Sequence, residues 1–342
     1  MRGVVFTGDR EVEIRTLPDP HPGPGEVVIH MKASGLCGSD LRHYRAPKAD
    51  RGDPANLKVA GHEPCGVIAE VGAGVTEVSV GDRVMMHHYT GCRACTMCRI
   101  GYTQMCLNGS VVYGTGANGG HEDYLICPAY TCVKMPDGLD FDEGSACACG
   151  TGTAFHALKR LNLAGDDTIA IFGQGPVGAS GTMFAKAMGA RVIAVDVDAE
   201  RLDLAQRLGA DVCIDASYQN PVEAIRELTH GEGTPAALDC TGRPEARINA
   251  VDSAMLWGRV CFVGEGNTTT FDVSPQIIHK QLTIVGSWTF SLNGLEEVAR
   301  FVVDRQVPLK ELFTHRFTLD DADAAYKLFD AGGTGKVCFT WD

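Results

Sequence analysis

The chain has 342 residues, a length typical of two domains rather than one. Its 44% hydrophobic and 21% charged residues are those of an ordinary globular protein. The net charge of −13 argues against a nucleic-acid partner, because binding to phosphate needs a basic surface. No run of residues reaches the ~20 apolar positions of a membrane-spanning helix, so no membrane partner is expected.

The N-terminus and the cysteines bear on the cellular compartment. Residues 1–6 are predicted to form a strand, and they lack the apolar core and cleavage site of a secretory signal. The 14 cysteines are many for this length, and their close spacing favours metal ligation over disulfide bonds. We therefore expect a reducing, cytoplasmic location.

Residues 1–150 are predicted to form a compact, irregular β-barrel or sandwich. The β-type runs 27–31, 66–71 and 82–86 alternate with turns rich in glycine and proline, and long helical periodicity is absent.

Cys37 and His62 are candidate ligands of a catalytic metal. Thiolate and imidazole both bind zinc well, and a catalytic zinc takes three protein ligands and keeps one position open. Either Glu63 or Cys149 would complete the set. The structural alternative is a turn with a buried cysteine and a histidine that belongs to the core.

Two polar residues after Cys37 suit supporting roles. Ser39 would pass a proton between substrate and solvent, and Asp40 would hold the imidazole of His62 and fix its tautomer. The structural alternative makes both of them N-cap residues of a turn.

The segment from 61 to 75 resembles a known signature. Its Gly61-His62-Glu63, followed by glycines at 66 and 72 and a valine at 75, is similar to the zinc-containing alcohol dehydrogenase signature of the medium-chain dehydrogenase/reductase family. The Cys-Gly-Ser-Asp that starts at Cys37 lies where that family has its first ligand. The resemblance implies Cys37 and His62 as zinc ligands and Glu63 as a carboxylate that enters or leaves the coordination shell.

Four cysteines in one loop give the strongest metal signal. Cys92, Cys95 and Cys98 are spaced C-x2-C-x2-C, and Cys106 follows. Four thiolates make a closed tetrahedral site of the structural type. An iron–sulfur cluster or redox thiols would use the same residues, but no proline follows the last cysteine and the spacing resembles the family's structural-zinc loop. The loop has little apolar content, so we expect its fold to depend on the metal.

Residues 143–156 contain two alternating cysteines. In an extended chain only one of Cys147 and Cys149 can face a given site. Register with the family's Cys-Gly-x-x-Thr stretch implies that Cys149 is the third catalytic ligand and that Thr153 lies close to the nicotinamide, with Cys147 buried elsewhere. In the related polyol and threonine dehydrogenases a glutamate can serve instead of this cysteine.

Alternating strands and helices in residues 151–289 predict a doubly wound parallel sheet. The first strand, 168–172, is followed by Gly173, Gly175 and Gly178 in a G-x-G-x-x-G pattern and by a helix over 179–188. That context favours a pyrophosphate-binding turn at a helix N-terminus. Further strands, which make six in all, are predicted at 191–195, 212–214, 237–240, 259–263 and 282–285.

Asp196 ends the second of these strands, 18 residues after Gly178. A carboxylate there accepts hydrogen bonds from ribose hydroxyls and repels a 2′-phosphate, which predicts NAD rather than NADP. A helix N-cap is the alternative role for it. Arg201 would hold the adenosine side or be solvated. The resemblance implies that Val177 and Gly264 flank the nicotinamide, although both also fit as backbone packing requirements.

The last segment resembles the return of the family's chain to its first lobe. Helices are predicted over 292–305 and 320–329, and strands over 313–317 and 335–339. The predicted organisation is a GroES-like irregular β-barrel catalytic domain (1–150 and 290–342) and a Rossmann cofactor domain (151–289). Zinc and nicotinamide would lie in the cleft between them.

The resemblance covers essentially the whole chain. It implies a zinc-dependent, NAD-linked alcohol dehydrogenase with two zinc ions per subunit and a small-molecule alcohol as substrate. Zinc would act as a Lewis acid on the alcohol oxygen, a hydride would pass to the nicotinamide, and Ser39 would receive the alcohol proton. Relatives place a relay histidine where this chain has Arg42, five residues after Cys37. Because arginine stays protonated, His43 would take over, or the relay would end at the ribose and water.

Three residues bear on the substrate and the assembly. His88 matches a position that lines the substrate pocket in relatives, and it points to a polar substrate such as a polyol or a hydroxy-amino acid, with an L-threonine 3-dehydrogenase-like activity as one reading. A histidine in a surface loop is the alternative. Trp288 and Phe290 would form an aromatic wall or belong to a subunit interface, since the resemblance implies a homodimer or homotetramer.

Two other classes of protein share parts of this pattern. A zinc-free quinone or enoyl reductase would lack Cys37, His62 and the four-cysteine loop. A non-catalytic module that binds NAD or metal fits a closed structural site, but it does not explain an open site with Ser39 and Asp40 beside it. The sequence therefore favours the enzyme.

Overall fold

Two large sheets organise the protein, and the computed structural model describes all 342 residues. One sheet has seven strands and the other has six, and two small two-stranded ribbons accompany them. The strands are β1 (Arg2–Gly8), β2 (Glu11–Thr16), β3 (Glu26–Gly35), β4 (Pro64–Val71), β5 (Arg83–Met86), β6 (Tyr89–Thr90), β7 (Val111–Val112), β8 (Tyr124–Pro128), β9 (Cys132–Lys134), β10 (Thr168–Phe172), β11 (Arg191–Asp196), β12 (Val212–Asp215), β13 (Thr234–Asp239), β14 (Ala254–Phe262), β15 (Thr283–Gly286), β16 (Phe313–Phe317) and β17 (Lys336–Thr340).

Ten α-helices connect or cover these sheets. They are α1 (Asp40–Tyr44), α2 (Thr96–Arg99), α3 (Phe141–Cys147), α4 (Gly150–Arg160), α5 (Pro176–Ala187), α6 (Ala199–Arg207), α7 (Pro221–Leu228), α8 (Pro244–Ser253), α9 (Leu292–Asp304) and α10 (Ala322–Ala331). None of them combines the length and the apolar character that a membrane crossing requires.

The seven-stranded sheet is built around β3. Val27, Val28 and Ile29 of this strand are buried, and they alternate between its two faces, so both faces are covered. Antiparallel neighbours lie along both of its edges, with β4 on one side and β8 and β17 on the other. The sheet continues through β5 to β9, which gives the irregular β-domain that the sequence predicts.

The six-stranded sheet is parallel throughout. Its strand order is β12-β11-β10-β13-β14-β15. Counted from β10, this is the 3-2-1-4-5-6 order of a dinucleotide-binding sheet. The central strands are continuous apolar runs because helices cover both faces of such a sheet. All six predicted strands are confirmed, and α5 begins at Pro176, three residues before the predicted start of that helix.

The C-terminal segment returns to the first sheet. β17 pairs antiparallel with β3, with Cys338 opposite Gly35, and β16 extends the sheet beyond it. A single apolar cluster of 33 buried residues runs from β5 through α3, α4 and α9 to the core of the parallel sheet. The proposed domain boundaries at 150 and 290 stay predictions.

Candidate active site

Four candidate metal ligands converge between the two sheets. Cys37 follows β3, His62 and Glu63 precede β4, and Cys149 lies between α3 and α4. One ligand atom from each of the four residues lies within 4.8 Å of all the others. The set contains two thiols, an imidazole and a carboxylate, and all but Cys37 are buried.

The spacing of these atoms fits a zinc ion. The sulfur atoms of Cys37 and Cys149 are 4.0 Å apart, and both thiols are free. Two Zn–S bonds of about 2.3 Å at a tetrahedral angle place the sulfurs about 3.8 Å apart, whereas a disulfide requires about 2.05 Å. The buried Oε1 of Glu63 has no hydrogen-bond partner. An unpaired buried carboxylate oxygen beside two thiols is a donor set suited to a cation.

The predicted conformation around Cys149 is wrong. Residues 143–156 are not extended, because Cys147 ends α3 and Cys149 is the N-cap of α4, with φ −146° and ψ −93°. The break between two short helices, rather than strand alternation, directs the two thiols to different places. Cys147 is fully buried in the apolar cluster, as the sequence predicts.

Asp40 orients His62 for metal binding. The Nδ1–H of His62 donates to Oδ1 of Asp40 at 2.8 Å, which leaves Nε2 as the nitrogen available to a metal. Against burial, which lowers it, Asp40 and Cys37 raise the pKa of His62 well above its usual range, so a metal that binds Nε2 displaces a proton. Asp40 also accepts the backbone N–H of Cys37 at 2.9 Å and therefore braces two candidate ligands. The hydrogen bond from the Cys149 thiol and the nearby His62 hold the pKa of Cys37 well below its usual range, against the opposing effect of burial.

Behind Asp40 lies a polar chain that sequence reasoning missed. The hydroxyl of Tyr326, on α10, lies beside the Asp40 carboxylate, and burial together with Asp40 raises the pKa of that hydroxyl. Tyr326 is also hydrogen-bonded to Nε2 of His121 at 2.7 Å, and Nδ1 of His121 is bonded to Ser34 at 2.8 Å. Partners 205 residues apart give no signal in a single sequence.

Glu63 has a buried partner that the sequence did not reveal. The ammonium of Lys336, the first residue of β17, forms an ion pair with Oε2 of Glu63. Lys336 also donates to the carbonyl of Leu36 at 3.0 Å. Both members of the pair are almost inaccessible to solvent. The C-terminal return therefore contributes a charged residue to the candidate metal site.

The two predicted proton-transfer residues are not hydrogen-bonded to each other. The hydroxyl of Ser39 is 3.2 Å from Nε2 of His62. His43, one helical turn later, accepts a hydrogen bond at Nδ1 from Arg51 at 3.2 Å. Since a guanidinium only donates, the remaining nitrogen of His43 carries its proton. The relay role of His43 stays a prediction, and this orientation does not favour it.

His88 is buried beside the candidate metal site. It is only 1% exposed, so the surface-loop alternative is wrong. Its ring lies 4.9 Å from that of His62 and 4.3 Å from that of Tyr89, which in turn contacts Trp288 at 5.8 Å. Phe290 is fully buried against His87, whereas Trp288 is 42% exposed. Of the two predicted aromatic residues, only Trp288 remains available to a ligand or partner.

The four cysteines of the 91–109 loop lie together as predicted. Their sulfur atoms are within 4.8 Å of one another, and those of Cys92 and Cys98 are 4.0 Å apart. The backbone N–H of Cys95 and the side chain of Asn108 donate to the Cys92 sulfur at 3.3 and 3.2 Å. Backbone amides thereby lower the pKa of Cys92 to about 6, which favours the thiolate that binds metal.

The glycine turn after β10 has the geometry of a phosphate-binding turn. Gly173 has φ +86°, and a side chain on Gly178 would lie 1.7 Å from the carbonyl oxygen of Gly173. Gly175 is the N-cap of α5, and a side chain there would meet open space. Gly264 is held equally tightly, since a Cβ there would lie 2.0 Å from the amide of Gly242. The N-terminus of α5 is therefore open to an anion.

Asp196 ends β11 next to this turn. Asp198, not Asp196, caps α6 with hydrogen bonds to the amides of Glu200 and Arg201, so the N-cap alternative for Asp196 is wrong. The Asp196 carboxylate accepts the backbone N–H groups of Gln174 and Val197 instead. It is thereby fixed beside the glycine turn.

Two further predicted cofactor residues lie near the metal ligands. The hydroxyl of Thr153 donates to the carbonyl of Cys149 at 2.9 Å. A side chain on Gly150 would lie 3.4 Å from Cγ2 of Val177. Arg201 is half-buried and directed toward Gly332, with Asp198 3.9 Å away.

Two family models match the chain. The "Alcohol dehydrogenase GroES-like domain" matches residues 23–137, and the "Zinc-binding dehydrogenase" model matches residues 176–304. The uncharacterized zinc-type alcohol dehydrogenase-like protein YphC of Escherichia coli is 38% identical over 98% of each chain. L-idonate 5-dehydrogenase of Vitis vinifera is 30% identical over 97% of this chain and 92% of its own. L-threonine 3-dehydrogenase of Shewanella frigidimarina is 30% identical over 95% of both.

Solved structures agree with the fold. Alcohol dehydrogenase TADH of Thermus sp. ATN1 superimposes with a TM-score of 0.90 at 28% identity, over 99% of each chain. An Escherichia coli alcohol dehydrogenase complexed with NADH gives 0.89 at 27% identity, over 100% of this chain and 99% of that one. Galactitol-1-phosphate dehydrogenase from Escherichia coli gives 0.87 at 25% identity and covers 100% of both chains.

Proposed function

Since the chain belongs to the zinc-type alcohol dehydrogenase family, within the medium-chain dehydrogenases and reductases, we propose that it oxidises a polar, hydroxyl-rich alcohol with NAD. Relatives named for L-idonate, L-threonine and galactitol 1-phosphate act on such polar alcohols. We assign the catalytic zinc to Cys37, His62 and Cys149, and the structural zinc to the four cysteines of the 91–109 loop.

One observation carries this proposal. The candidate ligand Cys149 is followed directly by Gly150, which borders Val177 of the nucleotide-binding turn. A candidate metal ligand and the nucleotide-binding turn therefore lie next to each other, as direct hydride transfer from the alcohol to the nicotinamide requires. Neither a metal store nor a nucleotide sensor needs this contact.

Each residue of the site has a distinct task in the proposed reaction. A zinc ion held by Cys37, His62 and Cys149 supplies Lewis-acid chemistry that lowers the pKa of an alcohol. Ser39, whose oxygen lies 3.2 Å from Nε2 of His62, is placed to take the hydroxyl proton while it passes its own proton to the cofactor ribose or to water. Asp40 keeps the imidazole of His62 oriented, and Thr153 is hydrogen-bonded to the carbonyl of Cys149.

His88 supports a polar substrate. Its Nδ1–H donates to the carbonyl of Ala148 at 3.1 Å, which leaves Nε2 as an acceptor with no partner in the protein. Burial and the neighbouring His62 hold the pKa of His88 well below its usual range, so the ring is neutral. A neutral acceptor beside the metal ligands suits a second hydroxyl of the substrate, or the ammonium group of a hydroxy-amino acid.

The proposal is tested by metal content and by turnover on a substrate panel. The purified protein should hold two zinc ions per chain and form NADH with a polyol or a hydroxy-amino acid, and a chelator should abolish NADH formation. Cys149→Ala should lower the zinc content to one per chain and remove activity. Cys147→Ala, a change of the neighbouring buried cysteine, should keep both.

Two outcomes would contradict the proposal. One zinc per chain with no turnover on any alcohol would favour a binding module. If Cys149→Ala keeps full zinc content and full activity, the third ligand is Glu63 instead. Its Oε1 has no hydrogen-bond partner, and it belongs to the same cluster of candidate ligands.

We also propose that the protein is a homodimer or homotetramer in a reducing cytoplasm. All of its cysteines are free. β15 is an edge strand, and apolar side chains are exposed near it at Trp257 (73%), Leu256 (61%) and Ile284 (40%). Such an edge pairs readily with another chain. Ile284→Asp should therefore shift the sedimentation coefficient toward the monomer.

A further inference from the structure

A cavity of about 170 Å³ lies in the β-domain, and one of its lining residues, Gly114, packs against Gly61, the neighbour of His62. His43 of α1 and Arg51 and Lys58 of the following loop line one part of it, and Thr115 lines another. Two of its seven lining residues, Arg51 and Lys58, are cationic and none is acidic, in a chain that carries 43 acidic residues and 30 lysines and arginines. This local excess of positive charge runs against the charge of the whole molecule.

The cations of the cavity lack counter-ions. Neither Arg51 nor Lys58 forms an ion pair, whereas most of the ion pairs in the protein join surface cations to nearby carboxylates. Arg51 is half-buried, and burial lowers its pKa without a carboxylate to offset the effect. Two acidic residues flank Arg51 in sequence: Asp50 makes no ion pair with it, and Asp53 accepts from the amide of Ala55 and the side chain of Asn56. A partly desolvated guanidinium without a partner favours an anion beside it.

The polar groups of the cavity are mostly hydrogen-bond donors. The Nε of Arg51 donates to the carbonyl of Phe6, and one terminal nitrogen donates to His43, which leaves the other terminal nitrogen without a partner. Because Nδ1 of His43 accepts from Arg51, Nε2 of His43 is an N–H donor. Lys58 adds an ammonium group that makes no hydrogen bond with the protein. A carboxylate or phosphate is the group that accepts from such a set.

The position of the cavity links it to the substrate rather than to the cofactor. His43 is four residues after Ser39, so the two lie about one helical turn, or about 5.4 Å, apart along α1. Gly114 lines the cavity and contacts Gly61, which is adjacent to His62. All seven lining residues come from the β-domain, and none belongs to the glycine turn.

We infer that this cavity binds an oxyanion, a carboxylate or a phosphate monoester, at the end of the alcohol substrate remote from the reacting hydroxyl. The inference rests on the proposed function and adds to it that the substrate is an anionic polyol or hydroxy acid. Arg51 and Lys58 then determine specificity, and the positive cavity draws anionic substrates to an otherwise acidic protein.

The test compares matched alcohols that differ only in charge. A hexitol, the corresponding hexonate and the hexitol monophosphate are assayed with the zinc-loaded enzyme and NAD. We expect Arg51→Gln to lower kcat/KM for the preferred anionic alcohol by at least ~10-fold, the cost of losing a hydrogen bond to a charged group, and to change that for the hexitol by less than ~2-fold. The kcat/KM values for the hexonate and for the hexitol monophosphate then show whether the cavity prefers a carboxylate or a phosphate.

Two further variants distinguish loss of the anion site from a loss of stability and from the loss of an unrelated surface charge. Lys58→Gln removes an exposed charge with no bonds to the fold, and it should reduce the same selectivity without loss of stability. Arg300→Gln is the matched control, because Arg300 is exposed on α9 and pairs only with Glu296. It should leave the selectivity unchanged.

The inference is overturned if Arg51→Gln and Lys58→Gln affect neutral and anionic alcohols equally, or if they raise only the KM for NAD. It is tested separately from the proposed function. If no alcohol is oxidised, calorimetric titration of the zinc-loaded protein with inorganic phosphate gives the result. Binding to the wild type that Arg51→Gln weakens at least ~10-fold supports the anion site, and equal or absent binding refutes it.

Discussion

At the scale of single residues, the candidate metal site depends on groups that never touch the metal. The carboxylate of Asp40 fixes His62, the hydroxyl of Tyr326 lies beside Asp40, and His121 is bonded to Tyr326. Burial lowers the pKa of His121 to about 4, so it is a neutral link in this chain. A fully enclosed row of hydrogen bonds holds one imidazole rigidly, because each group has few other partners.

Tyr326→Phe should weaken the catalytic zinc site without disturbing the core. The ring would keep its contact with Phe6, which has a centroid distance of 4.8 Å, while Asp40 would lose a neighbouring donor. Outer-shell changes of this kind cost about 10–100-fold in metal affinity. Competition with a chelator, followed by counting of the retained zinc, measures the effect.

Tyr44→Phe provides the control for that measurement. The hydroxyl of Tyr44 is also fully buried, but it has no hydrogen-bond partner, so its removal should leave zinc affinity unchanged. Equal zinc loss in the two variants would show that packing, not the hydroxyl chain, supports His62.

At the scale of elements, the 91–109 loop contrasts with the glycine turn. The turn is supported by a buried strand and helix, whereas the loop has only the four-residue helix α2 and a three-residue 3-10 helix (Thr103–Met105) and exposes Ile100 and Leu107 to solvent. An element without an apolar core of its own needs another source of order, and four convergent thiolates provide it through zinc.

Cys98→Ser should release one zinc per chain and loosen this loop selectively. We expect faster trypsin cleavage after Arg93 and Arg99, which lie within the loop, at a temperature where the rest of the protein remains folded. Cys213→Ser on β12, which changes a half-buried cysteine outside both metal sites, should leave the cleavage rate unchanged. Equal cleavage in the two variants would mean that the loop folds without the metal.

The same contrast explains what the sequence could predict. The strand–turn–helix around Gly173 is local in sequence, and the four-cysteine spacing is too, so both were predictable. Cys149 was identified through family resemblance, but its N-cap conformation was not, because two short helices separated by only two residues leave little periodicity. The Glu63–Lys336 pair joins distant parts of the chain, and no local pattern encodes it.

At the scale of the whole molecule, stability should depend on one buried acid. Glu122 is 1% exposed, and its Oε2 has no partner. Burial, and to a lesser degree Asp123, raise its pKa well above the usual range. The folded protein therefore keeps this proton to a higher pH than the unfolded chain, whose glutamate has a pKa of about 4.3.

Glu122→Gln should remove this pH dependence. In the wild type, the contribution of Glu122 to the free energy of unfolding falls as the pH rises from about 4.3 through the raised pKa of the folded state. The melting temperature of the variant relative to the wild type should therefore increase between about pH 5 and about pH 8. Glu227→Gln, an exposed change on α7, should show a constant difference. A constant difference for Glu122→Gln as well would contradict the argument.

The return of β17 to the first sheet has a consequence for how the protein is made. Lys336 and its acceptor Leu36 are 300 residues apart. At a translation rate of roughly 5–20 residues per second, that separation corresponds to about 15–60 s on the ribosome. During this time the end of β3 at residues 33–35 lacks its β17 partner, and Glu63 has no ammonium to neutralise it. The six-stranded nucleotide-binding sheet has more local contacts and can assemble first. We therefore expect the seven-stranded sheet to be completed late in the folding of each newly made chain.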